Sequence, residues 1–202
     1  MTIDLGVWLI MSPNVWREFR VVGVEDGGFS RKLQGRGIQK ALFVCVLLRG
    51  KWINDFQADM ITVDGLDATE KLTSMLHRWS FDAVMLAGVS FAGFNLVDPT
   101  IVLEEFRKPV IVISRTKPNN VAVKNALRRH FEDWRIRWGV FEKLGSVYEV
   151  VSMSAEPPVY VEVVGAELDW ASMLIRAASV CCRVPEPVRV ARLVARGLTR
   201  ML

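Results

Sequence analysis

The chain has 202 residues, 51% of them hydrophobic and 24% charged, which is enough apolar material to bury a core without disulfides or structural metals. A formal net charge of +4 permits nucleic-acid binding without requiring it. No linker, low-complexity run or repeat interrupts the sequence, so a single domain over residues 1–202 is expected, with an N-terminal extension over 1–17.

The cysteines are Cys45 and the adjacent Cys181 and Cys182, a pair that cannot form an ordinary disulfide, and none has the spacing of a zinc site. The apolar run Leu5 to Met11 is too short to cross a bilayer, and Asp4 before it is wrong for the basic start of a signal peptide. A cytoplasmic protein without a membrane partner is the expectation.

In chain order, Arg20 to Glu25, Lys40 to Leu48 and Trp52 to Val63 read as strands joined by glycine-bearing connections such as Arg49-Gly50-Lys51, a three-strand antiparallel meander. From Asp67 to Trp79 the residues Leu72, Met75, Leu76 and Trp79 fall at helical spacing, with Asp67 and Glu70 placed to cap the start. Short apolar strands at Ala83 to Leu86 and Val110 to Ser114 then alternate with helices over Pro99 to Phe106 and Asn119 to Phe131, as in a parallel sheet covered on both faces. Strands over Val147 to Val151 and Val159 to Val164 and helices over Glu167 to Cys181 and Glu186 to Met201 complete the chain. This order predicts an α/β fold of ribonuclease H-like layout, a mixed sheet in which the meander is followed by parallel βαβ strands with helices on both faces.

Ligands of open α/β sheets bind at the carboxyl ends of strands where strand order reverses, and here that point includes the end of the first strand. The first strand ends in Glu25-Asp26-Gly27-Gly28, followed by Phe29-Ser30-Arg31-Lys32. Alternation directs neighbouring side chains to opposite faces, so one of the two carboxylates is expected to face a cleft. Asp64 and Asp67 lie at the end of the third strand and the start of the first helix. Carboxylates from separate strand ends can converge on Mg²⁺ or Mn²⁺, although Asp67 as a helix cap and Asp64 as a strand terminator account for the same residues. Leu86-Ala87-Gly88-Val89-Ser90 is a glycine-bearing turn, and Asp98-Pro99 supplies an N-cap and a first helical residue.

Cations and aromatics are mixed in Arg128-Arg129-His130 and in Trp134-Arg135-Ile136-Arg137-Trp138, a composition that suits bases and phosphates and equally suits the solvated side of an amphipathic helix. Two isolated histidines exclude a histidine metal site, Ser90 has no evident triad partners, and no phosphate-binding glycine motif follows a strand.

Four stretches taken together, Val22 to Phe29, Ile61 to Thr69, Ala92 to Asp98 and Pro185 to Ala191, resemble the archaeal family of small proteins labelled endonuclease dU, relatives of endonuclease V. The resemblance runs from about Phe19 to the C-terminus. It implies a metal-dependent endonuclease using Mg²⁺ or Mn²⁺, with DNA or RNA carrying a deaminated base, uracil or hypoxanthine, as its partner. Asp26 and Asp67 would be the metal ligands and Asp64 would assist them. Arg31, Lys32, Arg115, Lys117 and Arg189 would contact nucleic acid. A flipped base would sit among Phe29, Phe91 and Phe94.

Two departures from the endonuclease V pattern stand out. Ala87-Gly88 replaces an Asp-Gly pair whose aspartate completes the metal set, and Gly165-Ala166 replaces a Gly-His pair. These motivate an alternative, a nucleic-acid-binding protein of the same fold with weakened or absent catalysis. Seven tryptophans motivate a third, a protein-interaction subunit.

Overall fold

The computed structural model describes residues 18–28 and 39–201. The strands β1 (Arg20–Asp26), β2 (Lys40–Arg49) and β3 (Trp52–Thr62) form the expected antiparallel meander. They are followed by α1 (Ala68–Leu76), β4 (Ala83–Leu86), the two short strands β5 (Ser90–Phe91) and β6 (Asn95–Leu96), and α2 (Pro99–Phe106). Next come β7 (Val110–Ser114), α3 (Asn120–His130), α4 (Trp134–Glu142), β8 (Tyr148–Val150), β9 (Val159–Val164), α5 (Leu168–Ala178) and α6 (Glu186–Thr199).

The main sheet has the order β3-β2-β1-β4-β7-β9-β8, with β4 parallel to β1 and β7 parallel to β4. Inner strands β1, β4 and β7 are buried along most of their length, as their unbroken apolar runs require, whereas edge strand β3 is largely exposed. One apolar cluster lies beneath α1 and α2 and includes Phe43, Leu72 and Leu86, while a second beneath α5 includes Met85, Ile111 and Leu174. A third joins α6 to β2 through Val44, Val46 and Ala191.

Helix α6 rests directly on the backbone of β1. A methyl group at Gly23 would fall 1.9 Å from the Pro187 carbonyl oxygen, so only glycine permits this approach.

One strand departs from the expected parallel run. β9 pairs antiparallel to β7, with Val110 opposite Val164 and Ser114 opposite Tyr160. The reason is the β8–β9 pairing, which adds β8 outside β9 and sends β9 back against the direction of β7. The end of β9, with Gly165-Ala166 after it, therefore lies beside the start of β7, away from Ser114. The Gly-His counterpart read from the sequence is at the wrong end of the sheet to join Asp26.

The proposed capping of α1 also differs. Asp67 occupies the cap position but makes no side-chain cap bond, and the Ala68 N–H donates instead to Asn95 Oδ1 at 2.9 Å. Asp98 does cap α2, accepting from the Thr100 N–H at 3.0 Å with Pro99 in the first turn.

Candidate active site

The parallel strands β1, β4 and β7 end together, and the residues that follow them enclose a cavity of about 780 Å³. Glu25, Asp26, Gly27 and Gly28 line it from β1, Ala87 from β4, and Arg115 and Thr116 from β7. Val188, Arg192 and Arg196 close it from α6, with Arg183 from the preceding loop.

Both carboxylates at the end of β1 line the cavity, where strand alternation predicted one. Asp26 is held there by a hydrogen bond 66 residues away in sequence: its Oδ2 accepts from the Ala92 N–H at 2.5 Å. Burial raises the Asp26 pKa above the usual carboxylate range, opposed by the bond from Ala92. Burial and the neighbouring Asp26 charge push Glu25 up to about 7, partly offset by Arg192.

The turn between β5 and β6 connects this acid pair to the end of β3. The Ala92 peptide offers its N–H to Asp26, and its carbonyl accepts from the Asp64 N–H at 2.8 Å. Asp64 (φ 57°) and Ala92 (φ 45°) both occupy the left-handed region, a strained state for residues other than glycine. Asp64 Oδ1 accepts from the Phe94 N–H at 2.9 Å, and a methyl group at Gly93 would fall 2.1 Å from that oxygen. The glycine in Ala92-Gly93-Phe94 is required by this carboxylate.

Asp67, expected beside Asp26, is directed elsewhere. Its carboxylate accepts from the Thr62 N–H at 3.1 Å, from Thr62 Oγ1 at 3.0 Å and from Asn95 Nδ2 at 2.5 Å. Burial alone would raise its pKa, but the bonds from Asn95 and Thr62 outweigh burial and hold it below the ordinary range. Asn95 is fully buried and also donates to the Thr62 carbonyl at 2.8 Å, so it ties β3, α1 and β6 together. Neither Asp64 nor Asp67 lines the cavity.

The other expected residues divide. Arg115 lines the cavity. Lys117 instead lies 4.0 Å from Glu149 on the surface, and Arg189 makes two hydrogen bonds to Glu186, at 2.9 and 2.6 Å. Phe91 is 1% exposed and packs edge-on against Phe43, and Phe94 packs edge-on against Phe131, so neither ring borders the cavity. Phe29, Arg31 and Lys32 lie outside the described residues.

Arg192 and Arg196 were missed. The available signal was their spacing of four residues on a helix whose start Pro185 to Arg189 had already located.

A divalent cation fits this donor set in a restricted sense. Among the described residues no three metal-capable side chains cluster. Two adjacent carboxylates in a cavity nevertheless suit a hard cation that keeps several waters, and such a cation would offset both the burial and the Asp26 charge that raise Glu25. Ala87 adds no ligand.

A sequence profile of the family described as endonuclease dU matches residues 17–199. The UPF0215 protein of Pyrococcus furiosus is 35% identical over 195 residues, covering 94% of this chain and 97% of its own. The crystal structure of a protein of unknown function from Archaeoglobus fulgidus superimposes with a TM-score of 0.78 at 30% identity, covering 90% of this chain and 98% of that one. Endonuclease V of Ciona intestinalis, solved with a 24mer DNA containing an inosine followed by a ribo-adenosine, superimposes with a TM-score of 0.56 at 12% identity, covering 91% of this chain and 86% of that one. The last is a likeness of fold, and it agrees with the ribonuclease H-like layout read from the element order. No helix among the described residues is long and apolar enough to cross a membrane.

Proposed function

Because this chain belongs to the endonuclease dU family, we propose that it is a nuclease of the endonuclease V superfamily, assisted by a divalent cation and directed at nucleic acid carrying a deaminated base. The observation that carries this reading is the pairing of Glu25 and Asp26 at the end of β1 with Arg115, Arg192 and Arg196 across one cavity.

Asp26 and Glu25 would hold Mg²⁺ or Mn²⁺. The ion would supply an activated water and offset charge developing on the phosphoryl group. The chain's own contribution is positioning: the Ala92 N–H fixes the Asp26 carboxylate, and Arg115 offers a planar fork to the phosphate oxygens. Burial and the Asp26 charge raise Glu25 to about 7 in the metal-free site, and a bound cation would draw it to the ionised form that ligates. Asp64 and Asp67 support the site by holding the β5–β6 turn and the start of α1.

Ala87 favours a second reading, a nucleic-acid-binding protein that does not hydrolyse, because its methyl group stands at a strand end beside the acid pair. Cleavage of labelled oligonucleotides containing uracil, hypoxanthine or normal bases, with Mg²⁺, Mn²⁺ or chelator, separates the two. The nuclease reading requires metal-dependent cutting of the damaged strands, reduced at least about 100-fold in Asp26→Ala. Salt-sensitive binding without cutting under any metal supports the second reading.

A further inference from the structure

The cavity carries more positive charge than a single phosphodiester contact uses. Arg115 follows β7, and Arg192 and Arg196 stand one turn apart on α6. Arg183, the fourth arginine at the rim, is engaged by the Pro158 carbonyl, to which its Nη1 donates at 2.8 Å. The other three have no hydrogen bond or ion pair among the described residues, in contrast to Arg20, Arg137 and Arg189, each bound to a carboxylate. Three guanidinium groups face two carboxylates, so the cavity stays positive even with Glu25 and Asp26 both ionised.

Each guanidinium presents a planar fork of N–H donors. A phosphodiester offers two unesterified oxygens and one negative charge. A phosphate monoester offers three strong acceptor oxygens and a charge near −2, so it can engage three forks where a diester engages two.

We propose that Arg115, Arg192 and Arg196 form a receptor for a phosphate monoester, the group found at a phosphorylated strand end and on a mononucleotide. This rests on the reading of the same cavity given above and specifies it: the site holds a strand end bearing a terminal phosphate, the group that phosphodiester cleavage creates. The electrostatics of Arg192 agree, since burial and the charges of Arg115 and Arg196 lower its pKa against the pull of Glu25, a repulsion that a bound dianion relieves.

The test is fluorescence anisotropy of the full chain with undamaged single-stranded oligonucleotides labelled internally and carrying a 5′-phosphate, a 3′-phosphate or hydroxyls at both ends. A hydroxyl-ended strand about two nucleotides longer controls for the added charge, since each further phosphodiester contributes one negative charge. One phosphorylated end should bind about tenfold tighter than the hydroxyl-ended strands, a difference of roughly 1.4 kcal/mol. Arg192→Gln and Arg196→Gln should each abolish the difference, while Arg192→Lys should restore part of it. Arg196 is exposed, so its substitution keeps the test decisive if Arg192→Gln fails to fold.

Competition by a mononucleotide or by inorganic phosphate that removes the end preference identifies the isolated monoester as sufficient. Failure of both to compete, with the preference retained, places the source at the strand end. Equal affinity for phosphorylated and hydroxyl ends, or a preference that survives in folded Arg192→Gln and Arg196→Gln, overturns the proposal. An end preference without cleavage of damaged strands sinks the nuclease reading alone, and cleavage without an end preference sinks this one alone.

Discussion

Arg137 Nη1 donates to the Phe94 carbonyl at 2.6 Å, joining α4 to the β5–β6 turn across 43 residues of sequence. The same guanidinium donates to the carbonyls of Gly65 at 2.9 Å and Asp64 at 3.0 Å and to Asp133 Oδ1 at 2.8 Å, and it lies 4.3 Å from the centre of the Phe131 ring. At 5% exposure it is a buried cation whose donors hold the loops behind the acid pair. Arg137→Ala leaves those carbonyls and Asp133 without their partner. A loss of about 3–5 kcal/mol in urea unfolding is expected, and Arg137→Lys should recover only part of it because one ammonium cannot span the set.

The contact between Gly23 and Pro187 governs where α6 sits. Gly23→Ala would place a methyl group 1.9 Å from a backbone oxygen, and neither backbone can yield without moving the helix. The expected loss is about 1–3 kcal/mol, a drop in Tm of roughly 3–10 °C by calorimetry. Arg192 and Arg196 ride on the same helix, so oligonucleotide affinity should fall with it.

Asp67 and Asp26 should separate experimentally. Asp67→Asn disturbs the bonds to Thr62 and Asn95 and should lower stability by about 1–3 kcal/mol in chemical denaturation, while leaving Mn²⁺ binding close to that of the parent chain. Asp26→Asn should do the reverse, weakening Mn²⁺ binding with little change in stability. Strong loss of Mn²⁺ affinity in a folded Asp67→Asn protein would return Asp67 to the ligand set.

Glu162 sits in β9 opposite Val112, and burial raises its pKa above the ordinary glutamate range. The folded chain therefore binds this proton more tightly than the unfolded chain. As pH rises from the unfolded pKa through the folded one, the unfolded state ionises first and stability falls. Glu162→Gln should be more stable than the parent at pH 7–8 and show a smaller decline between pH 4 and 7, measured as thermal midpoints across that range.

Much of the scaffold was legible from residue patterns because those patterns act locally. Unbroken apolar runs marked β1, β4 and β7 as inner strands, Asp98-Pro99 marked the start of α2, and the four motifs carried the family resemblance. Within the site, Glu25 and Asp26 were legible because strand ends in an open α/β sheet are where ligands bind, and Arg115 was legible only through the family resemblance.

What the sequence by itself determined was the succession of elements and the residues at their ends, since hydrophobic period, glycine and capping residues are properties of neighbouring positions. Tertiary structure alone decided which of those ends meet. The antiparallel course of β9 took Gly165-Ala166 away from the cavity, and Asn95 drew Asp67 toward Thr62. Ala92 turned Asp26 inward beside Glu25, and the seating of Pro187 on Gly23 brought Arg192 and Arg196 to face them. Each of these depends on a hydrogen bond, strand pairing or van der Waals contact between segments far apart in sequence, whose geometry no local period encodes.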